Sequence, residues 1–167
     1  HPDLIFGVNM NFAYKNWDMS MFWNGSIGMD LFDYTALYYE TPYFFNGNRS
    51  TRVLDSWSPT NTGAELPALS ETTLNSEFST SNSFFVRSGD YVRLRSLQIG
   101  YTLPDTIASK FGASSARVYY NGTNLLTLTD FTGLDPEVPR GGALDIGVYS
   151  AQYPTNSISS LGINIKF

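Results

Sequence analysis

Residues 4–14 of the chain read LIFGVNMNFAY. Every second residue in it is large and apolar: Leu4, Phe6, Val8, Met10, Phe12 and Tyr14. Strict alternation over about eleven residues is typical of a β-strand with one apolar face. Strands in globular proteins usually have about five or six residues, whereas a tilted strand that crosses a bilayer needs about nine to eleven. The pattern therefore favours a membrane-crossing strand.

A second run of alternation, over residues 17–30, begins directly after Lys15 and Asn16. One of its faces carries Trp17, Met19, Met21, Trp23, Gly25, Ile27 and Met29. Two long alternating runs joined by so short a link predict a β-hairpin.

Three further strands are predicted at residues 91–103, 115–126 and 157–167. In the first of these, the stretch that contains Arg93 and Arg95 has the opposite phase, which predicts a bulge or a departure from the bilayer. The segment 104–112 begins with proline and ends with glycine, which predicts one or two helical turns between strands.

The connections alternate between short and long. The long ones cover about residues 31–90 and 127–156 and are rich in polar and turn-forming residues. A loop of about sixty residues is uncommon in a compact soluble domain. Outer-membrane barrels, in contrast, have short periplasmic turns and long extracellular loops. The sequence therefore predicts an all-β fold in which both long connections are extracellular.

Five strands are too few for a closed barrel, since the smallest membrane barrels have about eight. An open edge in lipid would also leave backbone groups unpaired. We therefore expect residues 1–167 to be the C-terminal strands of a larger antiparallel transmembrane barrel. The remaining strands and any plug domain are expected elsewhere in the parent protein.

Composition excludes several functional classes. Charged residues make up only 15% of the chain, against about a quarter in typical soluble domains, and 42% of residues are hydrophobic. The chain has no cysteine and a single histidine, His1, which argues against thiol, zinc and Ser-His-Asp chemistry. A net charge of −5 argues against nucleic acid. No glycine-rich phosphate loop precedes a helix. We expect neither an enzyme nor a cofactor.

Residues 88–104, SGDYVRLRSLQIGYTLP, resemble the passage SYLRLKNLQLGYTLP of SusC/RagA-type TonB-dependent transporters. Residues 121–127 (NGTNLLT) and 132–137 (TGLDPE) are similar to that family's GQNLFT and TGYDPE motifs. The closing LGINIKF, residues 161–167, resembles the family's last strand. Weaker similarity at residues 11–18 and 57–61 extends the resemblance over most of the chain.

This resemblance implies an outer-membrane nutrient importer of Bacteroidota, with a barrel of about 22 strands in the parent. It further implies a SusD-like lipoprotein lid, energy from the TonB complex acting on a plug, and oligosaccharides or peptides as substrates. Two alternatives remain: a siderophore-type TonB-dependent receptor, and a secreted soluble β-sandwich that binds carbohydrate.

Three sets of candidate residues follow. The alternating end of the chain fits a barrel-assembly signal, made of Leu161, Ile163, Ile165 and Phe167. Amphipathic rings near predicted strand ends fit an aromatic girdle at the membrane interface, made of Tyr14, Trp17 and Tyr101. Aromatic residues of the long connection are candidates for contact with substrate or lid: Tyr38, Tyr39, Tyr43, Phe44 and Trp57.

Charged residues in the second half of the chain give no clear site. Four acids provide oxygen atoms that calcium prefers, but their spacing lacks an EF-hand pattern: Asp130, Asp135, Glu137 and Asp145. We therefore expect a solvated acidic loop and no metal. Four arginines fit either a lumen that contacts carboxylates or a set of bridges to lumen acids: Arg93, Arg95, Arg117 and Arg140.

Overall fold

The computed structural model describes residues 1–41, 47–69, 82–137 and 146–167. Its strands are β1 (Leu4–Tyr14), β2 (Trp17–Ile27), β3 (Asp30–Asp33), β4 (Val86–Ser88), β5 (Tyr91–Thr102), β6 (Ser115–Thr129), β7 (Val148–Tyr149) and β8 (Ile158–Lys166). Its α-helices are α1 (Tyr34–Tyr39) and α2 (Asp105–Ala108), with 3-10 turns at Thr51–Asp55, Ser83–Phe85 and Ser109–Phe111.

Five long strands form one antiparallel sheet in the order β1-β2-β5-β6-β8. The predicted hairpin is present, with Tyr14 opposite Trp17. The all-β prediction of about five long antiparallel strands is thus confirmed. No helix in the described ranges is long and apolar enough to cross a membrane.

The pairing register gathers the alternating residues onto two faces. The apolar face carries Leu4, Phe6, Val8, Met10, Phe12, Tyr14, Trp17, Met19, Met21, Trp23, Val92, Leu94, Leu97, Ile99, Tyr101, Ala116, Val118, Tyr120, Leu126, Leu128, Leu161, Ile163 and Ile165. The opposite face, which we call the polar wall, carries Asn9, Asn11, Asp18, Ser20, Asn24, Arg93, Ser96, Gln98, Arg117, Asn121, Thr123 and Asn164. Because successive side chains point to opposite faces, this separation follows directly from the sequence pattern.

A bulge at Arg95 reconciles the two phases of β5. On β2, Phe22 pairs with Ser96 and the next residue, Trp23, pairs with Leu94, so Arg95 is the extra residue. The insertion allows Leu94 and Leu97 to lie on the same apolar face. The predicted irregularity is therefore a bulge, as expected where one inserted residue changes the phase of a strand.

The two long connections contain more regular structure than the expected loops. Strand β2 ends at Ile27 instead of residue 30, because Gly28 adopts a positive φ of 71° and interrupts the strand. The chain then forms a second sheet in which β3 pairs antiparallel with β4 and parallel with β7. Because β7 comes from the other long connection, the two connections share one sheet. The expectation of an irregular loop over residues 31–90 is corrected accordingly.

We call this unit, made of β3, α1, β4 and β7, the cap. Its interior has two apolar clusters, one of Leu31, Phe131 and Tyr149 and one of Ala36, Leu37 and Phe85. Helix α1 begins where it does because Asp33 accepts hydrogen bonds from the backbone N–H groups of Thr35 and Ala36. Burial of these side chains provides the cap with its own core.

The connections at the opposite end of the sheet are short. Lys15 and Asn16 join β1 to β2, and Asn16 donates a side-chain hydrogen bond to the carbonyl of Thr102. The predicted helical turn between β5 and β6 is confirmed as α2 and its following 3-10 turn, which end at Gly112 with a φ of 70°. One end of the sheet thus carries the cap, and the other carries short turns.

Candidate functional site

The polar wall and the connection between β6 and β8 meet around one buried arginine. Arg93 is only 2% exposed, and three of its four bonded partners come from the connection between β6 and β8. Its Nη2 donates to Asp135 Oδ1 at 2.5 Å, and its Nη1 donates to Glu137 and to the Thr155 hydroxyl at 2.8 and 2.7 Å. Its Nε donates to Thr127 on β6 at 2.9 Å. Every guanidinium nitrogen of Arg93 is therefore hydrogen-bonded.

Glu137 extends this group to the bulged residue of β5. One carboxylate oxygen accepts from Arg93, and the other accepts from Arg95 Nη2 at 2.6 Å. Arg95 also donates to Asn124. Asn124 lies on β6 opposite the bulge and has a positive φ of 51°. We call Arg93, Arg95, Asp135, Glu137 and Thr155 the Arg93 cluster; it contains two positive and two negative side chains and so balances its own charge.

The environment of Asp135 keeps its carboxylate ionised. Burial alone would raise its pKa, but the hydrogen bonds from Arg93 and from the amide and hydroxyl of Thr155 outweigh burial. The result is a pKa below the ordinary value of 3.8. A carboxylate with a lowered pKa stabilises the folded state above the pKa of the unfolded chain, and this stabilisation is lost as pH falls through the folded pKa.

A pH dependence of the cap follows from Asp135. In the full-length protein, hydrogen-exchange protection of residues 146–149, corrected for intrinsic exchange, is expected to be constant from about pH 5 to 7 and to fall below about pH 4. Asp135→Asn is expected to lower that protection already at pH 7. Equal protection in this variant and the parent protein at pH 7 would contradict the proposed role of the carboxylate.

A second ion pair lies at the short-turn end of the polar wall. Arg117 donates from Nε and Nη2 to the two carboxylate oxygens of Asp18, at 3.0 and 2.5 Å. The guanidinium lies across Gly100, where a Cβ atom would come within 2.2 Å of it. Tyr119 lies across Gly162 in the same way. Glycine at these positions allows large side chains to lie flat against the wall.

The predictions for the arginines and the acids are thus partly corrected. Asp135 is buried and Glu137 is ion-paired, so the expectation of a solvated acidic loop is wrong for both. In the described ranges no group of three or more His, Cys, Asp or Glu side chains is placed to hold a metal ion. Of the alternatives for the arginines, Arg93, Arg95 and Arg117 form bridges to acids. Asp145 and Arg140 lie outside the described residues.

Some of the aromatic candidates lie on α1 of the cap or in the segment that follows it. Tyr38 donates a hydrogen bond to the Tyr34 hydroxyl at 2.9 Å, with the two rings edge to face. This hydrogen bond raises the pKa of Tyr38, so the phenol stays neutral. Tyr39 is 49% exposed and Trp57 is 43% exposed. Tyr43 and Phe44 lie outside the described residues.

The remaining candidates lie on the large sheet. Trp17 is paired with both Tyr14 and Tyr101 at the short-turn end of the apolar face, and its ring centroid is 4.7 Å from that of Tyr101. Three of the four candidate assembly residues, Leu161, Ile163 and Ile165, are exposed on the edge strand β8, and Phe167 directly follows it. The structure thus groups the girdle candidates, while their roles remain predictions.

Long strands with one apolar and one polar face, turns at one end and a cap at the other define a segment of a β-barrel wall. Comparison with known proteins identifies the kind of barrel. The chain is 34% identical to TonB-dependent receptor P3 of Formosa agariphila and 27% identical to TonB-dependent receptor SusC of Bacteroides thetaiotaomicron. Each match covers 99% of this chain, but only 16% and 15% of the respective receptors.

Solved structures give the same result. The chain matches a chain of the RagAB peptide importer in its closed-closed state with a TM-score of 0.77 and 25% identity, and in its open-open state with a TM-score of 0.76 and 26% identity. Both matches cover 100% of this chain and 17% of the importer chain. No protein-family model matches the chain.

These matches confirm the resemblance predicted from the motifs. Over its whole length the chain is similar to a segment of SusC/RagA-type TonB-dependent receptors, and it spans about one sixth of the length of these relatives.

Proposed function

We propose that this chain forms part of the wall and the outer rim of an outer-membrane nutrient importer that is driven by TonB. The observation that carries this proposal is the apolar face, which continues over five paired strands and leaves large side chains exposed, including Phe12 at 53% and Ile163 at 64%. An exposed apolar surface of this extent fits contact with lipid. The similarity to TonB-dependent receptors and to the RagAB peptide importer supports the transport role.

The two ends of the sheet give the orientation. The tight turns fit the periplasmic side, and the cap fits the extracellular side, because barrels of this type have short periplasmic and long extracellular connections. Tyr14, Trp17 and Tyr101 then lie at headgroup depth near the periplasm, as a girdle would. The polar wall faces the barrel interior, where the plug of the parent protein would lie.

The cap is the part of the chain best placed to meet cargo and lid. Its exposed Tyr39, and the exposed Trp57 of the segment that follows α1, offer ring faces that stack on sugars or on apolar peptide side chains. Oligosaccharides and peptides are the cargo classes proposed, together with a SusD-like lipoprotein as the lid partner. Peptide cargo has the additional support that RagAB is named a peptide importer.

The experiment uses the full-length protein in its native outer membrane. It is purified in mild detergent, and co-purifying proteins and small molecules are identified by mass spectrometry. A plug-bearing chain with a lipoprotein and a bound glycan or peptide is the expected result. A bound iron chelate with no lipoprotein would instead indicate a siderophore receptor. Recovery of a detergent-independent soluble protein would indicate a secreted binding module.

Loss of Phe167 is expected to reduce barrel assembly. An insertion machine that recognises an edge strand such as β8 by pairing with it would lose an aromatic contact. Deletion of Phe167 in the full-length protein is therefore expected to lower the assembled amount several-fold while leaving the cargo affinity of assembled molecules unchanged. Lys166→Ala is the control, because Lys166 lies on the polar face. Normal membrane levels after the deletion would contradict the role of an assembly signal.

A further inference from the structure

The Arg93 cluster joins three parts of the chain that are far apart in sequence. Arg93 belongs to the wall strand β5, Asp135 and Glu137 lie near the beginning of the connection between β6 and β8, and Thr155 lies near its end. Thr155 also donates both its amide and its hydroxyl to Asp135, at 3.0 and 2.7 Å. The cluster therefore closes the connection on itself and attaches it to the wall.

The attached connection in turn holds the cap. The amide of Leu134, next to Asp135, donates to the Tyr149 hydroxyl at 2.7 Å. Tyr149 packs edge to face on Phe131 and belongs to β7, which pairs with β3. The amide of Phe32 in β3 donates to the Gly147 carbonyl at 2.8 Å.

Strand β3 leads directly into α1, which carries the surface tyrosines. Asp33, the last residue of β3, is also the N-cap of α1. Direct contacts and one strand pairing thus connect Arg93 to the surface that carries Tyr39. No flexible linker lies between α1 and the pairing of β3 with β7.

We propose that Arg93 is a positioning residue: by binding Asp135, Glu137 and Thr155 it fixes the cap, and with it the aromatic surface of α1, in one orientation on the barrel wall. Burial favours this role, because a guanidinium with all its nitrogens bonded in a low-dielectric site has few alternative arrangements. Any effect on cargo binding rests on the proposed function, whereas the attachment itself does not.

The chain offers a matched control for the experiment. Arg117 pairs with Asp18 on the same polar wall, but both partners lie on strands of the wall. Arg93→Met and Arg117→Met remove the same charge with side chains of similar length. Of the two substitutions, only Arg93→Met removes an ion pair between the wall and the connection that holds the cap.

The test is hydrogen exchange measured by mass spectrometry on the full-length protein in detergent. With Arg93→Met, exchange in residues 30–39 and 146–149 is expected to rise by at least about 100-fold, the lower end of the effect expected when a buried ion pair loses one partner. Exchange in residues 96–102 of β5 and 117–123 of β6, on the short-turn side of the bulge, is expected to stay unchanged. With Arg117→Met, the exchange of the cap is expected to stay at the parent level.

Several outcomes would overturn the proposal. Unchanged cap exchange with Arg93→Met would show that the cap is held by its own core. A uniform rise across β5, β6 and the cap would show that Arg93 only stabilises the barrel. If Arg93→Met does not assemble, Thr155→Val is measured instead, and it must raise the exchange of the cap without affecting the wall. None of these readouts requires cargo, so failure of the proposed transport function would be seen separately in the co-purification experiment.

Discussion

Leu97→Arg is expected to prevent the full-length protein from accumulating in the outer membrane. Leu97 lies midway along β5, on the apolar face, opposite Met21 on β2 and Gly122 on β6. An arginine at the middle of the lipid-facing surface of a barrel costs about 2–4 kcal/mol. A penalty of this size is a large part of the stability of a typical folded domain. The measurement is the amount of heat-modifiable barrel in isolated outer membranes.

The neighbouring residue provides the control. Gln98→Arg introduces the same side chain one position later, where Gln98 lies on the polar wall and pairs with Ser20 and Asn121. Membrane levels close to those of the parent protein are expected for this variant. Equal loss in both variants would mean that the two faces do not differ in environment, and equal tolerance would contradict lipid contact at Leu97.

Arg93→Met is expected to lower the free energy of cap opening by about 3–5 kcal/mol, because it leaves the buried Asp135 carboxylate without its cation. Combining it with Asp135→Leu removes the remaining buried charge at that position. Replacing a whole buried ion pair with apolar residues is often neutral, whereas removing one partner is strongly destabilising. The double variant is therefore expected to regain at least half of the lost cap protection.

The double-mutant cycle is completed with Asp135→Leu alone. Its expected cost is smaller than that of Arg93→Met, because Glu137 still contacts Arg93. Protection of residues 146–149 against hydrogen exchange is measured for all three variants. Additive losses in the double variant would contradict a direct coupling between Arg93 and Asp135.

Much of the wall could be predicted from the sequence, because strand alternation has a period of two and a face is specified residue by residue. The pattern at residues 4–14 predicts β1 with the bounds that the structure has, and the reversed phase near Arg93 predicts the bulge. The alternation predicts that β2 extends to residue 30, because Met29 continues the pattern. The strand ends at Ile27 because the positive φ of Gly28 interrupts it. Periodicity alone does not reveal such a backbone change.

The cap could not be predicted, because its sheet joins residues that are more than a hundred positions apart. Strand β7 has only two residues, too few for any pattern, and it pairs with β3 from the other long connection. The apolar residues of the cap, such as Leu31 and Tyr149, are not regularly spaced in the sequence. Contacts of this kind depend on the fold of the whole chain.

The Arg93 cluster was missed for a related reason. The TGLDPE motif was recognised as part of the family resemblance, but nothing in its spacing indicates a partner about forty residues earlier. One available signal is the presence of two arginines among Tyr91, Val92 and Leu94 at the beginning of the strand. Buried arginine requires a carboxylate partner, and Asp135 and Glu137 were among the few acids of that connection.

The central claim is that the two faces of the large sheet lie in lipid and in the barrel interior, respectively. The most direct measurement is a cysteine scan along residues 17–27 of the full-length protein in its native membrane, with spin labels read for collisions with oxygen and with a water-soluble nickel chelate. The chain has no cysteine of its own, so each label position in this segment is defined. Oxygen accessibility is expected to alternate with a period of two and to peak at Trp17, Met19, Met21 and Trp23. Uniform access of the nickel chelate to both faces, or peaks at Asp18 and Ser20, would contradict the barrel assignment.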